Sequence, residues 1–129
     1  MSVREIKFRG KTITTGEWVY GYYVKARELH YILPFYNKDN FDERYHLEGT
    51  DEFGWYEVDP KTVGQFTGLL DKNGKEVYEA DLLKRLNGEV ETVVFDSGCF
   101  CIKHKDGSFD FIAEHNQFEI VGNIYENIK

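Results

Sequence analysis

At 129 residues, 41% hydrophobic and 30% charged, the chain is long enough for one soluble domain with its own core and too short for two ordinary ones. Its net charge of −7 is local: residues 39–59 hold eight carboxylates against Arg44 alone, while the remainder balances at fifteen of each sign. That distribution opposes a protein that coats DNA through a broad basic surface. No run approaches transmembrane length, the first residues lack the apolar core of a secretory signal, and Cys99 and Cys101 are too few and too close for a disulfide scaffold. These features point to a reducing cytoplasm and to no membrane partner.

In chain order, Ile6 and Phe8 alternate with Lys7 and Arg9, which reads as a strand with one wet face. After the Thr14-Thr15-Gly16 turn, residues 17–25 give the clearest strand of this half. Trp18, Tyr20, Tyr22 and Val24 share one face and Val19, Gly21 and Tyr23 the other, so the strand is expected to be covered on both sides or to lie at an interface. Gly21 marks a bend or bulge. Residues 29–36 form the next extended run, with Pro34 weakening its end. Residues 37–54 are acidic and aperiodic, and long for a plain connection. Residues 55–58 close that stretch as a short strand.

Asp59-Pro60 opens a turn, because proline presets its own φ and pushes the preceding residue out of the helical region. Residues 63–66 extend, with a break at Gly68. Asp71-Lys72-Asn73-Gly74 is a strong hairpin signal, since Asn and Gly tolerate positive φ. Asn87-Gly88, Ser97-Gly98 and Lys105-Asp106-Gly107 then divide strands at 89–96, 99–104 and 108–112 into a meander. Residues 113–117 read as one helical turn, and residues 118–125 as the last strand.

Three ordered blocks, Thr62 to Gly68, Asp71 to Glu76 and Tyr78 to Asp81, resemble the signature of the YopX family, small proteins encoded by phages and prophages of bacteria. Arg4 to Gly10 and Gly122 to Asn127 also fit, so the resemblance spans nearly the whole chain. Ala80 stands where the family usually has glycine; if that position needs positive φ, alanine should strain the turn. The resemblance implies a mainly β fold and a mobile-element origin, and it implies no activity.

Cys99 and Cys101, with His104 and His115, form the one cluster of metal-capable side chains, and residues two apart on a strand share a face. Free cysteines in a strand behave more often as small buried apolar residues, so no metal ligand or cofactor is assigned. Glu79 and Asp81 could serve as paired carboxylates, although acidic residues in tight turns ordinarily accept backbone hydrogen bonds. The glycines of residues 64–68 lack the Gly-Lys-Ser/Thr ending of a phosphate loop. Trp18, Tyr20, Tyr22, Tyr23, Trp55 and Tyr56 could stack bases beside Lys7, Arg9 and Lys11, or anchor a protein partner.

The expected fold is all-β: a single domain over residues 1–129 with about eight strands. Its twisted antiparallel sheet curls into a partly closed SH3-like barrel or a sandwich, with at most one or two short helical turns. The acidic stretch at about 37–57 is expected as a loop or hairpin insert. The expected role is a non-enzymatic protein–protein module of a phage or prophage, acting in the host cytoplasm on another protein or a second copy. Trp18, Tyr20, Tyr22, Trp55 and Tyr56 are its binding residues, and no catalytic residue is assigned. The alternatives are a small nucleic-acid-binding β-barrel and a small metal-dependent hydrolase using Glu79 and Asp81.

Overall fold

Eleven strands, more than the roughly eight expected, and a single 3-10 turn, Pro60–Thr62, are formed among the described residues of a computed structural model. These are residues 6–34, 50, 54–111 and 118–126. Most of the acidic stretch, the helical turn expected at 113–117 and His115 lie outside them. The all-β expectation holds, with every pairing antiparallel and no sheet closed into a barrel among the described residues. The chain divides into two compact units, Glu5–Gln65 and, chiefly, Phe66–Lys129.

The first unit contains β1 (Phe8–Lys11), β2 (Trp18–Ala26), β3 (Leu29–Pro34), β4 (Tyr56–Glu57) and the start of β5 (Gly64–Leu70), in the spatial order β4-β3-β2-β1-β5. β2 and β3 meet through a two-residue turn, since Ala26 pairs with Leu29. Arg27 and Glu28 both have positive φ, 52° and 70°, as a type I′ turn requires. Gly21 lies in register opposite Pro34. A Cβ there would sit 1.9 Å from the Leu33 carbonyl oxygen, so glycine is needed for close backbone approach. Ile32 and Val58 are fully buried, and Val58 packs over Gly10. Asp59 caps the 3-10 turn by accepting the Lys61 N–H at 3.0 Å, while the Thr62 hydroxyl accepts the Lys11 N–H at 2.8 Å and donates to the Asp59 carbonyl at 2.7 Å.

In the second unit, β5 pairs with β6 (Glu76–Tyr78) across the Asp71–Gly74 turn, with an irregularity between Phe66 and Leu70. Gly68 in that interval has φ 90°, so the break expected there is a bulge within a continuing strand. The meander follows as β7 (Asp81–Lys84), β8 (Val90–Asp96), β9 (Cys99–Lys103) and β10 (Phe109–Phe111), and β11 (Glu119–Asn123) returns against β7. The order is β10-β9-β8-β7-β11. Val77, Leu83, Val93, Ile102 and Phe118 form the core, with Ile120 packed on it. Each such buried side chain contributes about 1.5–3 kcal/mol relative to exposure.

Candidate functional site

The register of β2 decides which aromatic residues stand together. Arg9 lies opposite Tyr20, Lys11 opposite Trp18 and Leu33 opposite Tyr22. Cross-strand partners project to the same face, so Trp18, Tyr20 and Tyr22 form a column flanked by two cations on one side and an apolar residue on the other. Tyr31 joins this face opposite Val24, and Trp55 meets Tyr31 edge-on with ring centroids 5.5 Å apart. Tyr20 and Tyr22 are 45% and 56% exposed, so this face is open at those two residues, whereas the other is closed at Gly21 and Ile32.

Tyr56 is not part of the column. It pairs with Ile32, which pairs with Tyr23, and this places it on the opposite face. Tyr23 belongs there as well: it packs on Phe8, lies parallel to the His30 ring and hydrogen-bonds His30 Nδ1 through its hydroxyl. Four of the five residues expected to bind are therefore brought together, and the pleat separates the fifth.

The wet basic face read at the N-terminus also changes. Arg9 is only 6% exposed, with its guanidinium carbon 4.6 Å from the centre of the Trp18 ring. The planar cation lies over the indole, whose electron-rich face attracts it. Lys11 Nζ is 5.7 Å from the same ring.

The second unit contains a polar cluster that sequence reading missed. Glu91 is 3% exposed and is met by Arg85 Nε and by His104 Nδ1. His104 Nε2 also contacts Asp110 Oδ2 at 2.6 Å. The imidazole is thus held between a buried and an exposed carboxylate. A cleft of about 370 Å³ opens beside it, lined by residues of the β7–β8 and β9–β10 turns including Glu89, Lys105 and Ser108. Asp106 on its rim is held below the usual carboxylate range by hydrogen bonds from the Ser108 hydroxyl and then the Ser108 amide. The missed signal was register. Counting outward from the Ser97-Gly98 turn pairs Thr92 with Lys103, and one further step places Glu91 opposite His104.

The other candidate carboxylates have structural partners. Asp81 is 1% exposed, and its Oδ2 accepts the Tyr78 N–H at 2.7 Å, closing the turn that carries Glu79. Cys99 and Cys101 do share a face, with Sγ atoms 3.4 Å apart. The pKa of Cys101 is raised, first by its hydrogen bond with Cys99 and then by burial. No group of three or more His, Cys, Asp or Glu residues is arranged to hold a metal ion among the described residues. None of their helices is long and apolar enough to cross a membrane.

The architecture is that of a small antiparallel β protein with an exposed aromatic sheet face. The family described as YopX protein matches residues 7–129, and the chain belongs to the YopX family. A comparison with curated proteins returns no match.

Proposed function

We propose that this chain is a non-enzymatic accessory protein of a phage or prophage that works in the bacterial cytoplasm by binding another protein through the outer face of β2. The observation that carries this reading is the pair of exposed tyrosines, Tyr20 and Tyr22, standing in a column with Trp18 on a paired strand. Tyrosine and tryptophan supply large, rigid contact area at low entropic cost and are favoured as interface anchors. A regular strand fixes their spacing better than a loop does. Trp55 extends the anchor set along the sheet, and the negative charge concentrated in residues 39–59 favours a basic partner.

The position of Arg9 favours this reading over nucleic-acid binding. A stacking platform for bases needs cations at the surface to meet phosphates. Here the guanidinium is buried over Trp18, which leaves less positive charge on the face than the sequence suggests. The test is affinity capture from induced host cells, read by mass spectrometry, with a Tyr20→Ala/Tyr22→Ala variant as control. A protein captured by the wild type and lost in a variant with an unchanged circular dichroism spectrum supports the reading. Capture of nucleic acid alone, or of nothing specific, overturns it.

A further inference from the structure

Cys99 and Cys101 alternate with Phe100 and Ile102 along β9, so both thiols project from the same face. Their Sγ atoms are 3.4 Å apart and neither is in a disulfide. Cys99 is half-buried and Cys101 buried, and the Cys99 thiol donates to the Asp96 carbonyl across the Ser97-Gly98 hairpin at 3.4 Å.

The strand favours chelation over a disulfide. Residues two apart on an extended strand are separated by about 6.6 Å along its axis. A disulfide needs Cβ atoms at roughly 3.5–4.5 Å, which would require β9 to leave its pairing with β8 and β10. A metal ion asks for a wider bite: two thiolates on one tetrahedral ion, each about 2.3 Å from it, stand about 3.8 Å apart. That is within a few tenths of an ångström of the spacing the two side chains already hold. Thiolates select soft ions over calcium or magnesium. Of the two nearest residues in sequence that could add a third ligand, His104 is directed to Glu91 and Asp110, and Asp96, the cross-strand partner of Cys99, accepts the Ser97 hydroxyl at Oδ2.

We propose that Cys99 and Cys101 form a bidentate thiolate site for a soft d10 divalent ion such as zinc or cadmium, independent of the aromatic face of β2. Uptake forms two metal–sulfur bonds and releases the two thiol protons to solvent, with no change of oxidation state. The two thiolates are the ligands the protein supplies, and Cys99 is the more accessible of the two.

The experiment is a titration of the full-length, reduced protein with cadmium ion, followed by thiolate-to-cadmium charge-transfer absorption and by proton release. The wild type should develop the band. Cys99→Ser should lose it and bind about 100-fold more weakly or less, because one of two linked ligands has been removed. Cys101→Ser should behave alike, and His104→Ala should titrate as the wild type does. Cys101 is buried, so its variant could fail to fold; Cys99→Ser, checked by circular dichroism, keeps the outcome decisive. No band in the wild type, or an undiminished band in folded Cys99→Ser, overturns the site. Loss of the band in His104→Ala with an unchanged circular dichroism spectrum overturns the two-thiolate assignment.

Discussion

Asp71 shows how a residue of the family signature serves folding. Its Oδ1 accepts the N–H groups of Asn73 at 2.8 Å and Lys75 at 2.9 Å, while Oδ2 accepts that of Ile120 at 3.0 Å. One buried side chain thus closes the β5–β6 turn and ties it to β11. Burial pushes its pKa up, but the amides of Ile120, Lys75 and Asn73 and the charge of Lys75 together outweigh burial, and the net value falls below the ordinary 3.8. A folded pKa below the unfolded one gives stability that is complete well above 3.8 and is lost as pH falls through the lower folded value. Asp71→Asn should therefore cost about 2 kcal/mol at neutral pH. It should also flatten the acid limb of the stability curve, as denaturant melts at pH 7 and pH 3 would record. Ala80 is the second such position. It stands at φ 78° between two hydrogen-bonded strands, with its N–H on the Val93 carbonyl and its carbonyl accepting the Ile124 N–H. The left-handed conformation costs an L-residue about 1–2 kcal/mol. Ala80→Gly, which restores the family's residue, should raise stability by about 1 kcal/mol in the same melts.

Among the elements, what was legible divides along turn chemistry. Asp71 to Gly74, Asn87-Gly88, Ser97-Gly98 and Lys105 to Gly107 carry residues that accept positive φ, and each joins the strands expected on either side. Arg27-Glu28 is also a tight turn, yet neither residue advertises it; the hairpin is held by six residue pairs between β2 and β3, so tertiary pairing overrides local preference. Replacing Arg27-Glu28 by Asn-Gly should then relieve two left-handed residues and stabilise the protein by about 1 kcal/mol. An unchanged melting midpoint would show that the turn is not strained. The aromatic column was legible because its period of two needs no partner strand. The burial of Arg9 was not, because it depends on a diagonal contact with Trp18 set by the β1–β2 register. The face of Tyr56 was not legible for the same reason: a two-residue strand shows no periodicity of its own, and only its pairing with Ile32 assigns its face.

For the whole molecule, the proposed binding mode assigns different work to its two surface features, and kinetics can separate them. The net charge of −7 is concentrated in residues 39–59, whereas the column of Trp18, Tyr20 and Tyr22 lies on a face whose cations are drawn in against indole. Net charge steers encounter and is screened within about 8–10 Å at physiological salt, while buried aromatic anchors govern how long a complex lasts. Once a partner is captured, raising ionic strength from about 0.05 to 0.5 M should slow association by tenfold or more if that partner is basic, and leave dissociation nearly constant. Tyr20→Ala and Tyr22→Ala should do the reverse. Each should speed dissociation about tenfold or more, equivalent to at least ~1.4 kcal/mol, with association within about threefold of wild type. Surface plasmon resonance on the captured pair reads both rates. If salt and the tyrosine substitutions acted on the same rate, the acidic segment and the aromatic face would not be performing separate roles, and the proposed division between steering and anchoring would have to be abandoned.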